Sequence, residues 1–314
     1  MTGDKEVTGV FDCGPAEFAQ AFGETIPAHV AERVAAYGIR CRRMPLAERD
    51  GWLRKIAATL LEAQLSKAGE RRLGDWENGW QENLDRFLAT PCAQSLVPGY
   101  FGKYDALRLN GELVAPASPD CERNMLAALE DWLFDAWLAE APAVYEFGCG
   151  TGHNLERVRR VNPVARLYGC DWAGSSNRLV AAIGESGLLG QVEARRFNIF
   201  EPDTAMRLEP GAAVYTVASL EQVGEGFRPF LDYLQDNRPS VCVHIEPVGE
   251  LLDPERLLDY LSLRYFEKRG YLSGFLLELR RREALGQVEI LKAQRTNVGS
   301  LYIEGYSAVV WRPR

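Results

Sequence analysis

"VYEFGCGTGHN", residues 144–154, places three glycines behind a short apolar run that carries one carboxylate, Glu146. The run reads as a buried strand, and a helix should begin near His153 or Asn154. A strand, a glycine-rich turn and a helix in that order put a bare backbone at the carboxyl end of a strand. In an α/β sheet that is where ligands bind. A dinucleotide fingerprint needs GxGxxG, but the third glycine arrives one position early and His153 stands where the last glycine should be. A phosphate-binding P-loop is excluded more firmly, because no Gly-Lys-Ser/Thr follows.

Outward from this stretch the same rhythm continues. Strands are expected at residues 143–147, 166–170, 192–198, 213–219, 240–246, 288–293 and 306–312, and helical patterns separate the first six. The fold class that follows is α/β, a seven-stranded sheet that is mostly parallel. No helix fits between the last two strands, so they should pair antiparallel at one edge. Residues 119–314 would form this domain. Residues 1–118 read as a helical N-terminal appendage with amphipathic segments around 28–39, 45–70 and 76–90. A hairpin turn at Asn110-Gly111 lies near the boundary.

The acid-x-Gly-x-Gly-x-Gly run formed by Glu146, Gly148, Gly150 and Gly152 resembles the first motif of class I S-adenosylmethionine-dependent methyltransferases, whose sheet is Rossmann-like. Two further stretches fit the resemblance. "LYGCDW" ends the second strand with Asp171, nineteen residues after Gly152, where the family's acid takes the ribose hydroxyls. "RRFNIF" ends the third with Asn198 and Phe200; an amide oxygen on Asn198 stands where the family often has an Asp for the adenine amino group. The resemblance implies S-adenosylmethionine as cofactor and methyl transfer as the activity. It does not cover the N-terminal part.

The acceptor side should come from the loops after the fourth and fifth strands. "SLEQVGEGF" offers Glu221 and Glu225, and "HIEPVGE" offers His244, Glu246 and Glu250. Four carboxylates there would hold a small cationic amine or guanidinium through charge-assisted hydrogen bonds. A loose similarity to protein arginine methyltransferases, which hold their substrate with two glutamates after the fourth strand, points the same way. Glu225 and Glu250 also read as ordinary solvated loop acids, whereas Glu221 and Glu246 sit nearer the strand ends and are favoured as functional. His244 is the alternative, a general base for a hydroxyl acceptor such as a sugar or natural product, or else a satisfied core histidine. Tyr100, Phe101 and Tyr104 form a candidate aromatic lid or, equally, core packing. Trp76 and Trp80, four apart, read as one packed helix face. A third reading is a catalytically silent cofactor-binding protein that docks a partner through its N-terminus.

Composition narrows the classes. The net charge is −8, and residues 1–140 carry most of it, with 15 Lys and Arg against 22 Asp and Glu. A nucleic-acid surface would show a basic stripe, so a small-molecule substrate is expected and no nucleic-acid partner. No apolar run is long enough to span a membrane, and the first residues lack a leader pattern. The seven cysteines include no CxxC pair, which suits a reducing, cytoplasmic setting. The three histidines lack ligand spacing, so no metal is expected. A homodimer, if formed, would use the N-terminal region.

Overall fold

In the computed structural model, which describes residues 9–314, a small sheet gathers distant pieces of chain and a large one gathers consecutive pieces. The first eight residues, on which the expectation of no leader partly rests, lie outside the described residues. The chain runs β1 (Val10–Asp12), α1 (Pro15–Phe22), α2 (Ala28–Ala36), β2 (Arg40–Arg43), α3 (Leu46–Leu61) and α4 (Leu73–Ala89). The hairpin β3 (Leu107–Leu109) and β4 (Glu112–Pro116) follows, then α5 (Cys121–Trp137). Asn110 and Gly111, with φ of 54° and 78°, make the two-residue turn that the Asn-Gly pair predicts.

The α/β part begins with β5 (Ala143–Phe147), α6 (His153–Val161), β6 (Arg166–Asp171), α7 (Gly174–Ser186) and β7 (Val192–Arg196). It continues through β8 (Ala213–Val217), α8 (Arg228–Asn237), β9 (Val241–Glu246), α9 (Leu257–Arg269), α10 (Phe275–Ala284), β10 (Val288–Arg295), β11 (Val298–Gly299) and β12 (Ser307–Pro313). The large sheet has the order β10-β12-β9-β8-β5-β6-β7. Strands β5 to β9 pair in parallel, and β12 runs antiparallel to both β9 and β10. The expected antiparallel pair is therefore present at one side, and the reversed strand lies one place in from the edge. Strand order reverses between β5 and β8, which makes the crevice beyond their carboxyl ends the switch point of the sheet.

Both faces of the middle of this sheet are covered, so β5, β8 and β9 are almost wholly buried and successive side chains enter opposite layers, while the edge strands β7 and β10 carry charged residues. Val144, Leu167, Tyr215 and Val243 pack toward α5, α6 and α7. Tyr145, Phe147, Cys170, Val214 and Trp311 pack toward α8 and α10. The first layer is continuous with Phe18, Phe22, Val30 and Cys41 of the N-terminal part, so one core runs across both segments.

The helices expected before residue 100 are accompanied by strands that the sequence pattern does not reveal. β1, β2, β4, β3 and β11 form a five-stranded sheet in that order. Its last member, β11, comes from the connection between β10 and β12. Buried Arg108 on β3 secures that connection: its guanidinium donates to the carbonyls of Leu301 and Leu258, to Ser262 Oγ and to Glu304 Oε2 at 2.9 Å. Arg295 grips Asp259 with both arms of its fork at 2.6 and 2.9 Å. No helix among the described residues is long and apolar enough to cross a membrane.

Candidate active site

A cavity of about 450 Å³ opens at the switch point. Its floor is the loop after β5, where Gly148, Gly150 and Gly152 all have left-handed φ, at 72°, 52° and 71°. Glycine is favoured there by the backbone and by its neighbours. A Cβ on Gly148 would fall 2.4 Å from Ser219 Cβ, and one on Gly150 would fall 2.9 Å from the Trp80 ring. The N–H groups of Gly148 and Cys149 donate to the Cys170 carbonyl at 2.8 and 3.2 Å, which ties the loop to β6.

Glu146 lies beneath this floor rather than on the cavity wall. Its carboxylate accepts from Asn154 Nδ2 at 2.8 Å and from the Tyr215 hydroxyl at 2.9 Å, and burial raises its pKa to about 8. Asn154 takes its place on the wall. With Nδ2 committed to Glu146, the Oδ1 of this 4% exposed side chain has no partner among the described residues. Asp171, on the opposite side of the loop, accepts the N–H groups of Gly150 and Ala173, each at 2.9 Å. Burial lifts its pKa to about 6 and these N–H bonds oppose the rise. Trp172 and Phe200 lie next to it with ring centroids 5.5 Å apart. Asn198 also lines the cavity, and its Oδ1 accepts the Phe200 N–H at 3.0 Å, so its amide oxygen first shapes the turn.

The acceptor-side expectations separate sharply. His244 is not on the cavity: it is fully buried in β9, where Nε2 accepts the Trp311 indole N–H at 3.0 Å and Nδ1 lies 2.9 Å from Thr216 Oγ1. Burial pushes its pKa down to about 3. A neutral imidazole with both nitrogens engaged cannot take a proton from an acceptor, which corrects the general-base reading.

Glu246 is spent on the backbone. Oε1 accepts the N–H groups of Ser219 and Leu220, each at 3.0 Å, and Oε2 accepts that of Glu221 at 3.1 Å. It thus holds the loop after β8 in place, just beyond Ala218 with its strained φ of 48°. Glu250 accepts the Leu276 N–H at 3.2 Å, and Glu225 is exposed; neither lines the cavity. The four-carboxylate clamp is therefore not assembled.

Glu221 alone of the four faces the cavity. It is 7% exposed, Oε1 accepts from Gln222 Nε2 at 2.8 Å, and Oε2 has no partner among the described residues. Burial and then the nearby Glu246 charge raise its pKa to about 8, against the opposing influence of Gln222, Arg269 and Arg72. Tyr100 and Tyr104 do line the cavity, as the lid reading expects, and Phe101 joins them.

Several wall residues are absent from the sequence-based expectations. Trp76 and Trp80 stack on each other at 5.3 Å and face the cavity from α4, with Arg72 over the Trp76 ring. Tyr265, Tyr271, Tyr302 and Tyr306 form the far wall with Arg269; the rings of Tyr265 and Tyr302 stack at 4.6 Å. Trp172 directly follows Asp171, so the "CDW" triplet held a signal that could have been read.

No family model matches the chain. No curated protein matches it. Among solved structures it is similar to a geranyl diphosphate methyltransferase in complex with GPP and sinefungin, at 15% identity and TM-score 0.45 over 78% of this chain and 98% of that one. It is similar to a mitomycin 7-O-methyltransferase at 13% identity and TM-score 0.45 over 76% and 68% of the two chains. A third likeness is to an S-adenosylmethionine-dependent methyltransferase from Aquifex aeolicus, at 17% identity and TM-score 0.41 over 62% and 93%.

Proposed function

We propose that this chain is an S-adenosylmethionine-dependent methyltransferase acting on a hydroxyl group of a small molecule. The observation that carries the cofactor assignment is the unpartnered Oδ1 of Asn154 on the same cavity as the Asp171 carboxylate. An ammonium needs an acceptor such as Oδ1, and a ribose diol needs a carboxylate. Asp171 keeps acceptor capacity on both oxygens after its two N–H bonds. Trp172 and Phe200 supply aromatic surface for a purine. These residues fit the group. When bound, S-adenosylmethionine supplies an electrophilic methyl carbon.

The chain's own part in the chemistry is to orient the acceptor, exclude water and receive a proton. Glu221 Oε2 is the proton acceptor that the site offers. The preference for a hydroxyl over a cationic amine or guanidine follows from the lining. Only one of the four expected loop glutamates faces the cavity, and Arg72, Lys103 and Arg269 line it beside Glu122, Asp171 and Glu221, so the lining holds no excess of negative charge. That setting disfavours a second positive charge.

Two measurements test the reading together. Calorimetry should detect S-adenosylmethionine binding that is weakened by Asp171→Ala, and methyl-labelled cofactor should pass label to hydroxyl compounds in an acceptor panel. Label appearing only on amines would overturn the hydroxyl assignment. No cofactor binding would overturn the whole reading.

A further inference from the structure

Four arginines are buried among the described residues, and three of them meet a carboxylate. Arg108 pairs with Glu304 at 2.9 Å, Arg157 with Glu130 at 3.4 Å, and Arg282 with Glu278 and Asp232 at 2.8 and 2.7 Å. Arg269 is 8% exposed, lines the cavity, and has no carboxylate within 4.0 Å among the described residues; its Nε has no hydrogen-bond partner. Its guanidinium lies over the Tyr271 ring at 5.3 Å, which positions the planar fork without neutralising it. A buried guanidinium with no direct ion pair, helped only by the more distant charge of Glu221, is costly, and an anionic ligand offsets the cost.

Glu221 presents the complementary deficit on the same cavity, because its buried Oε2 has nothing to accept. The same cavity has a phenolic wall: Tyr265 stacks on Tyr302, and Tyr271 meets Tyr265 edge-on at 5.8 Å. A flat ligand with a ring for the tyrosines, an anion for Arg269 and a hydroxyl donor for Glu221 satisfies all three.

We propose that the acceptor is a small aromatic hydroxy acid, with its carboxylate held by Arg269 and its hydroxyl directed to Glu221. This rests on the methyltransferase reading for the fate of the hydroxyl, but the recognition of the acid stands apart from it. A carboxylate is preferred to other anions because its two oxygens match the guanidinium fork in one plane.

The test is calorimetric titration of the full chain with 4-hydroxybenzoate and with neutral 4-hydroxybenzamide, each with and without S-adenosylhomocysteine. The acid should bind about tenfold more tightly than the amide, the size expected for one charge-assisted pair. Arg269→Gln should abolish that preference, Arg269→Lys should keep part of it, and neither should alter S-adenosylhomocysteine affinity. Equal binding of acid and amide, or binding of neither, overturns the proposal. So does an Arg269→Gln variant that loses S-adenosylhomocysteine but keeps the acid, because Arg269 would then serve the cofactor's own carboxylate. Should Arg269→Gln fail to fold, the acid-to-amide ratio of the unaltered chain decides. A preserved acid preference with no S-adenosylhomocysteine binding would sink the methyltransferase reading and leave this one standing.

Discussion

The two ends of the cavity are built on opposite plans. The glycine-loop end is built on three short stretches, 146–154, 171–173 and 198–200, with Trp80 beside Gly150, and its carboxylates are already engaged: Glu146 by Tyr215 and Asn154, Asp171 by two backbone N–H groups. The tyrosine end draws on the loop after β8, the end of α9, the β10–β12 connection and the segment before β3, and it leaves Glu221 Oε2 and Arg269 Nε open. One end is fixed largely by the backbone of the fold, with Asn154 Oδ1 as its one open side-chain acceptor. The other is defined by side chains that await a partner.

If the ends are chemically separate, Glu221→Gln gives the largest effect. Acceptor turnover should fall by about 10²–10⁴-fold, the usual scale for a lost proton acceptor, with cofactor affinity unchanged in calorimetry. Equal losses in both would break the separation. Arg108→Met removes one partner of a fully buried pair, leaves Glu304 with only the longer contact to Arg295 at 3.6 Å, and releases the β10–β12 connection that carries Tyr302 and Tyr306. A loss of about 3–5 kcal/mol is expected in urea denaturation.

Gly148→Ala probes the joint between the two ends, because the new Cβ would strike Ser219 of the acceptor loop. The strained φ costs about 1–3 kcal/mol, and both cofactor affinity and turnover should drop.

The pH profile sharpens the contrast further. Glu221, faced by Glu246, Gln222, Arg72, Arg269, Tyr100, Tyr265, Tyr271 and Tyr306, has its folded pKa raised to about 8, above the unfolded value. Its ionised, proton-accepting form therefore grows as pH rises through about 8, and turnover should climb with it. The stability gained from keeping it neutral is present below the unfolded pKa and is lost over the same rise. A flat profile in the unaltered chain would remove Glu221 from the proton path. The smallest effect belongs to Trp80→Phe, which keeps an aromatic face beside Gly150; cofactor affinity should change by less than about tenfold, or 1.4 kcal/mol.

Legibility in the sequence follows the same division. The glycine loop, Asp171 and the strand rhythm are local patterns, so adjacent residues betray them. Glu221 stands out because it follows a strand directly. Glu246 has the same sequence signature, and only the folded loop reveals that three N–H groups consume it. Arg269 sits in "EKRGY", where it reads as a basic residue before a helix-ending glycine. Trp76 and Trp80 show one helix face without showing what that face meets. β2, "RCRR", carries three arginines in four residues, and β11 is two residues long, so neither could announce a strand. Sheet partners separated by most of the chain leave no mark in any window of sequence.

The position of β12 bears on how the molecule comes into being. It separates β9 from β10, yet it follows both in the chain. During synthesis β9 must present an open, unpaired edge until β12 has left the ribosome, and β10 has no neighbour to dock against in the meantime. The sheet is sealed by the last of its strands to be made, so until β12 emerges the nascent chain is a template exposed to other chains.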